Sequence, residues 1–366
     1  MSRTCKAWVQ TGPRALSFED VPVPDTLADG FALARVEASG LCGSDYEQYR
    51  GTLDQTGRLH YPLILGHEPL LRIDRLTPGA RDQFNVTEGD RVIVYPLACK
   101  VCRYCVSGQR MLCERYRGNR TLADGLWGSL AEYMMIGRDS VVHKVPESVS
   151  AQDALLYNPL SGAFEWAIAR GRVGVGDDVL ILGAGQRGLA CVVVCRQAGA
   201  NRIIVTGLPS DEEKLRIAAR LGATDTVVVD PGDPNSLIGQ IGSQVVDIAI
   251  DVVPVAGQPV LDAIEAVRRG GTVVLSGIKG MRQLPGFVSD KLIFKSLDVL
   301  GAFGYSATSQ RKAIETVLSG RYDFSEWHTH LLPLDRAEEA IRILGGELLT
   351  GRAPVHVTVT GTSSNG

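Results

Sequence analysis

Two textures divide the chain. Up to about residue 155 the apolar positions come in short runs, such as Phe31-Ala-Leu-Ala-Arg-Val36 and Arg91-Val-Ile-Val-Tyr95, separated by Gly, Pro and Asp. Short runs bounded by turn formers predict a β-rich, loop-rich domain. From about residue 160 the pattern predicts strands over 178–182, 202–206, 226–229, 246–252 and 272–276, with helices between them, among these 212–221 and 260–268. Continuous apolar strands alternating with amphipathic helices imply a parallel sheet covered on both faces. A last strand over 298–303 closes it. Beyond Gly304 the pattern predicts a helix over 310–319, a second stretch over 331–342 and a terminal strand, Pro354-Val-His-Val-Thr-Val359. That is too little for a third core, so this tail is expected to return to the first domain, with residues 360–366 fraying.

Length agrees with two cores, since 366 residues exceed what one usually organises. Lys and Arg number 38 against 41 Asp and Glu, a net charge of -3, and no basic run is long enough to follow a phosphate backbone. Nucleic acid and membrane surfaces are therefore not expected partners. No stretch of about 18 apolar residues is present to span a bilayer, and Met1-Ser2-Arg3-Thr4-Cys5-Lys6 opens no apolar leader, so a cytoplasmic location is expected.

The strand ending Val179-Leu-Ile-Leu runs into Gly183-Ala-Gly185-Gln186-Arg187-Gly188 and then a helical stretch. In this G-x-G-x-x-G order, Gly183 permits the tight turn, Gly185 lets backbone approach a pyrophosphate, and Gly188 lets helix and strand pack closely. The helix start adds free N–H groups and partial positive charge for the anion. A lone motif of this kind is a weak signal, but flanking strand and helix within a repeating strand–helix pattern make it a dinucleotide site. The acid that would grip a ribose 2′-OH is absent. Its place falls on Gly207, followed by Leu208, Pro209 and Ser210, with Lys214 a turn further. NAD and NADP both stay open. Asp211 is a surrogate ribose acid or simply a helix N-cap.

Cysteine usage adds the second chemistry. Of eight cysteines, Cys99, Cys102, Cys105 and Cys113 crowd into one short segment. Four thiolates at such spacings wrap one Zn2+ tetrahedrally at about 2.3 Å and leave no open position, which makes the site structural. Cys5, Cys191 and Cys195 read as inert, the last two as core residues on one helix face. Two further fragments, Gly40-Leu-Cys42-Gly-Ser44-Asp45 and Gly66-His67-Glu68, carry metal-ligating side chains, but spacing does not pair Cys42 with His67.

Taken in order, Cys42-Gly-Ser-Asp, Gly66-His67-Glu68, Gly89-Asp-Arg-Val, the four-cysteine segment, Gly128-Ser-Leu-Ala-Glu-Tyr133 and the Gly183 turn resemble the zinc-containing alcohol, polyol and threonine dehydrogenases of the medium-chain dehydrogenase/reductase family. The resemblance covers nearly the whole chain. It implies a Rossmann doubly wound parallel sheet (163–304) inserted into a β-rich GroES-like catalytic domain (1–162 and 305–366). It also implies a catalytic zinc on Cys42 and His67, with Glu68 near it or alternating onto it and Asp45 behind it, so that two zinc ions per chain are expected beside NAD or NADP. Ser44 resembles the hydroxyl that takes the alcohol proton.

Two positions depart from the family. Where polyol-type members carry Glu-Pro-Leu this chain has Asn158-Pro159-Leu160, and a Cys42/His67/Asn158 shell would leave zinc near +1. Where many members carry a proton-relaying His after the Cys, this chain has Glu47. The implied reaction is interconversion of an alcohol, secondary or polyol, with its carbonyl by hydride transfer; a homodimer or homotetramer is implied as well. Tyr95, Leu126, Trp127 and Phe303 are candidates for the substrate pocket. The rival reading is a non-catalytic dinucleotide-binding scaffold or redox sensor that keeps only the structural zinc.

Overall fold

A computed structural model describes residues 3–54, 59–95, 99–115 and 121–361. By contact the chain forms two compact units, Met1–Leu156 with His328–Gly366, and Tyr157–Trp327.

The first unit starts with the hairpin β1 (Thr4–Gly12) and β2 (Ala15–Pro22), then β3 (Ala32–Leu41), β4 (Leu63–Ile64), β5 (Glu68–Leu76), β6 (Arg91–Tyr95), β7 (Tyr133–Ile136) and β8 (Val141–Lys144). One small sheet has the order β2-β1-β4. In the larger sheet β3 pairs antiparallel with β5 and β7, β5 with β6, and β6 with β8. Alternation puts Ala32, Ala34, Val36, Leu71, Ile73, Val92 and Val94 into one buried cluster closed by Phe84. Between β3 and β4 lies the short helix Gly43–Tyr49.

The second unit holds β9 (Asp178–Leu182), β10 (Arg202–Gly207), β11 (Asp225–Val228), β12 (Val246–Asp251), β13 (Val267–Leu275) and β14 (Asp298–Gly301) in one sheet of order β11-β10-β9-β12-β13-β14. Every pairing in it is parallel. This is the doubly wound arrangement, and its order reverses between β9 and β12, where the Gly183 turn sits. All the expected strands form. The helix expected over 260–268 stops at Ala266, because Val267 is drawn into β13 opposite Val246.

The tail returns in part. Residues 305–327, which the resemblance placed with 157–162 in the first domain, lie in the second unit, where helix Ala307–Leu318 packs on helix Tyr157–Ala163. Only from His328 does the chain rejoin the first unit, through β15 (His328–Pro333), helix Ala337–Leu344 and β16 (His356–Thr360). The helical stretch expected over 331–342 therefore begins late. Leu331-Leu332-Pro333 is strand, because Leu332 pairs with Val359 of β16 in a parallel ladder. β16 in turn runs antiparallel to β3 and completes the larger sheet. Leu332, Leu334, Ile341, Val357 and Val359 fill a core with Trp8, Leu41 and Leu63. Thr360 is held opposite Ala38 rather than frayed, and the remainder of the expected frayed end, 362–366, lies outside the described residues.

Candidate functional site

The expected metal-ligating side chains of the first unit come together. Cys42 ends β3's excursion and precedes helix Gly43–Tyr49, while His67 and Glu68 stand where β5 begins. One ligand atom from each of Cys42, His67 and Glu68 lies within 4.8 Å of the others. Gly66, at φ +90°, makes the turn that aims His67, a conformation few other residues adopt at no cost. A Cβ there would strike Ser129 Oγ at 2.4 Å, and the Ser129 N–H donates to the Gly66 carbonyl at 3.1 Å, so the Gly128-Ser129 segment backs the turn.

Asp45 ties the ligands to each other. It is 1% exposed; one carboxylate oxygen accepts the Cys42 N–H at 2.9 Å and the other lies 3.0 Å from His67 Nδ1. The first contact caps the helix that Cys42 opens, with negative charge at its N-terminal end. The second takes the Nδ1–H of His67 and so directs the Nε2 lone pair to the metal side. Ser44 Oγ is 3.4 Å from that Nε2 and Glu68 Oε1 is 3.9 Å from it. Crowding by protein opposes charge on the imidazole although its edge is exposed, but Asp45 and the Cys42 thiol outweigh this and raise its pKa well above the ordinary histidine value. A thiolate, an imidazole nitrogen and a carboxylate converging in this way suit Zn2+. Glu47 stands one turn along the helix from Gly43, with Arg50 Nε 3.5 Å from its carboxylate.

The four-cysteine segment closes on itself. The sulfurs of Cys99, Cys102, Cys105 and Cys113 fall within 4.8 Å of one another, with Cys99 to Cys105 at 3.8 Å and Cys102 to Cys113 at 3.9 Å. None of the described cysteines forms a disulfide. The backbone N–H of Cys102 donates to Cys99 Sγ at 3.3 Å, the kind of contact that supports a thiolate. Backbone N–H groups, led by that of Cys105, lower the Cys102 thiol to about 6, whereas burial first and the neighbouring thiols second raise Cys105 to about 12. Four sulfurs with no other donor among them fit a closed zinc site. Cys191 and Cys195 are fully buried, and burial pushes Cys191 up to about 12 and raises Cys195 well above the ordinary thiol range, in keeping with inert core thiols.

In the second unit the Gly183 turn has the expected shape. Gly183 takes φ +106°, and a Cβ on Gly188 would lie 1.8 Å from the Gly183 carbonyl oxygen, so helix Gln186–Ala198 packs as it does only with glycine there. Around Gly185 a Cβ would meet nothing within 4 Å, which leaves the helix start open to an incoming group. Gln186 is buried, and among the described residues its Nε2 has no hydrogen-bond partner. Arg187 lies over the Trp166 ring at 5.2 Å. At the ribose end, Gly207 faces Asp211 closely, and Asp211 is committed twice, to Lys214 at 2.8 Å and to the Leu208 N–H at 3.0 Å. Asp211 thus caps the turn before helix Glu212–Leu221 through Leu208, and its side chain does not cap that helix itself.

Comparison with known proteins follows the same division. Residues 28–147 match the alcohol dehydrogenase GroES-like domain and residues 188–319 the zinc-binding dehydrogenase domain. A probable alcohol dehydrogenase of Mycobacterium tuberculosis is 36% identical over 97% of this chain and 98% of its own length. The chain belongs to the zinc-dependent medium-chain dehydrogenases. Within this alcohol dehydrogenase family, the sorbitol dehydrogenase of Bacillus subtilis is 32% identical, covering 92% of each chain. A putative zinc-binding dehydrogenase from Sinorhizobium meliloti, solved bound to NADP, superposes with a TM-score of 0.83 at 25% identity, over 98% of this chain and 99% of that one. Zinc and NAD(P) are accordingly its cofactors, its substrates are small molecules, and the non-catalytic scaffold reading is not favoured. Among the described residues no helix is long and apolar enough to cross a membrane.

Not every candidate joins a site. Asn158 belongs to the second unit, in helix Tyr157–Ala163; it is buried, its Nδ2 donates to Tyr305 Oη at 3.3 Å, and its Oδ1 has no hydrogen-bond partner among the described residues. Of the proposed pocket residues, Leu126 is core, packed with Val9, Val21 and Tyr133. Tyr95 is likewise buried, and the Trp127 indole N–H is taken by the Asp124 carbonyl at 2.7 Å. Sequence reasoning passed over Asp153, His328 and His356, which line up behind Glu68. Their positions in two strands and a helix far apart in sequence left no motif to find.

Proposed function

We propose that the chain oxidises a secondary alcohol or polyol to its carbonyl, and reduces that carbonyl in the reverse direction, at a zinc site built on Cys42 and His67 with Glu68 as an exchanging ligand. The observation that carries this reading is the convergence of Cys42, His67 and Glu68 within 4.8 Å, with Asp45 fixing the imidazole so that Nε2 faces the metal. Zinc, when bound, lowers the pKa of a coordinated hydroxyl from about 16 to roughly 7, and the nicotinamide accepts the hydride. The rest is the work of this chain's own groups. Cys42 and His67 hold the metal side of the site, and Asp45 keeps their relative orientation. Ser44, whose Oγ is 3.4 Å from His67 Nε2, is placed to take the alcohol proton, and Glu47 on the same helix carries it onward. The turn of Gly183, Gly185, Gln186, Arg187 and Gly188 receives the pyrophosphate, with Gly207 and Lys214 at the ribose end. The resemblance supplies Asn158 as a third ligand.

Assignment of catalysis to the first unit and cofactor binding to the second follows from the same residues. A cytoplasmic homo-oligomer is part of this reading. The edge strand β14 and the exposed Phe287, Ile293 and Phe294 support pairing with a second copy. The experiment is a panel of secondary alcohols, polyols and aldehydes assayed with both NAD and NADP on wild type and Cys42→Ser. The variant is expected to lose turnover and one zinc while binding dinucleotide normally; turnover retained in Cys42→Ser would refute the assignment.

A further inference from the structure

Behind Glu68 the first unit carries a hydrogen-bonded line of side chains that the reaction described above does not use. Asp153 Oδ1 is 2.8 Å from His328 Nε2, and His328 Nδ1 is 2.9 Å from His356 Nδ1. The line runs inward: the Asp153 side chain is 38% exposed, that of His328 10%, and His356 is wholly buried. Among the described residues His356 Nε2 has no hydrogen-bond partner. Register shows what it faces. Gly40 of β3 pairs with Glu68 on one side and with Thr358 on the other, so Glu68, Gly40 and His356 share one face of the sheet. A Cβ on Gly40 would lie 2.9 Å from Glu68 Oε2 and 3.4 Å from His356 Nε2. The missing side chain makes the gap that carboxylate and imidazole both border.

Hydrogen placement follows from satisfying each buried atom in turn. The hydrogen bond from His328 holds the Asp153 carboxyl below the ordinary carboxylate range, so Asp153 is the acceptor and His328 Nε2 the donor. His356 is wholly buried and turns Nδ1 to His328 and Nε2 to the gap, so its ring hydrogen can serve either side. Were that hydrogen on Nδ1, His356 would turn a bare lone pair toward a carboxylate oxygen. With His328 Nε2 donating to Asp153 and one hydrogen shared between the two facing Nδ1 atoms, a hydrogen on His356 Nε2 points into the gap beside Gly40. This arrangement gives every nitrogen of the line a partner.

We propose that Asp153, His328 and His356 form a positioning relay in which the His356 Nε2–H grips the Glu68 carboxylate and holds it off the metal, keeping a coordination position open for substrate. His356 is thus a positioning residue acting through Glu68. The inference rests on the zinc site proposed above, and it assigns the competition for Glu68: the metal on one side, His356 on the other. A hydrogen bond to a charged group is strong enough to shift such a competition by about tenfold.

The test uses the full chain loaded with zinc, with release followed in excess chromogenic chelator, and the Co2+-loaded protein read by its visible d–d absorption. His356→Leu removes the grip. Glu68 then settles on the metal, zinc leaves that site about tenfold more slowly than in wild type, and the cobalt bands change in position and intensity. His356→Gln, which restores an N–H donor, returns both readouts toward wild type, and adding Glu68→Ala to His356→Leu abolishes the slowing. Asp153→Asn, at the partly exposed end of the line, shifts both in the same direction by less and serves if His356→Leu does not fold. Faster zinc release in His356→Leu, as a merely loosened fold would give, overturns the relay. So does a cobalt spectrum unchanged in both variants. Wild type holding a single zinc per chain sinks the metal site itself, whereas two zincs with unmoved release and spectra sink only the relay.

Discussion

Asp45→Asn is the sharpest probe of the site, because it keeps size and burial and changes only charge and hydrogen-bond polarity. Both carboxylate oxygens of Asp45 accept from N–H groups, that of Cys42 at 2.9 Å and that of His67 Nδ1 at 3.0 Å. A carboxamide has one acceptor, so one of the two donors must lose its partner. If the amide oxygen stays on Cys42, the NH2 faces His67 and selects the other tautomer, with hydrogen on Nε2, the nitrogen needed for the metal. If the amide flips, the helix that begins after Cys42 loses its cap, at about 1 kcal/mol. The first outcome costs more at the site, since a hydrogen bond to a charged group contributes about 1.5–3 kcal/mol. Expressed in zinc affinity this is roughly a 10- to 150-fold loss. Competition against a chelator of known affinity measures it, with dinucleotide binding as the control that the second unit is intact. Zinc affinity and kcat/KM both within twofold of wild type would refute the orienting role.

Three further outcomes are expected. Cys102→Ser should lower the zinc content to one ion per chain and open the segment around Cys99 and Cys113 to protease, measured by metal analysis and peptide mapping. Gly188→Ala, which sets a Cβ 1.8 Å from the Gly183 carbonyl oxygen, should abolish dinucleotide binding, read by nicotinamide fluorescence, while the zinc content of the first unit stays at two. Glu347 is lowered from its ordinary 4.5 to about 2 by hydrogen bonds from Arg14, Tyr46 and Arg342. A depressed carboxyl stabilises the fold above its unfolded pKa and loses that contribution as pH falls through the folded one, so Glu347→Gln should flatten the stability curve between pH 4.5 and about 2, followed by acid unfolding.

How much of this was legible in the residues depended on whether the signal was local. Strands β9, β10 and β12 are buried on both faces, and their unbroken apolar runs mark them without any knowledge of partners. The Gly183 turn and the four-cysteine segment are likewise contained in single stretches, and both took the expected geometry. Leu331-Leu332-Pro333 failed the same approach, because a short apolar run reads equally as helix or strand and only the ladder with β16 decides. Helix Ala307–Leu318 was expected with the first domain since nothing in its own pattern names its neighbour, yet it packs on helix Tyr157–Ala163. Cys42 and His67 needed the family resemblance to be paired. His356 needed more, for it sits in an ordinary β-run, and only the register across β16, β3 and β5 brings it to Glu68.

That register bears on the charge of the metal. On the zinc site proposed above, an ion held by the Cys42 thiolate and a neutral His67 would carry about +1, and the sequence has Asn158 where the polyol-type pattern has Glu. Glu68 is then the anion nearest at hand, and whether it binds decides between a strongly polarising ion with an open position and a neutral one without. In a chain whose third ligand is already anionic the same swing would matter less. The Gly40 gap, the buried His356 and the partly exposed Asp153 therefore weigh most in a family member of this kind, where the hold on Glu68 sets both the room for substrate and the strength with which its oxygen is polarised.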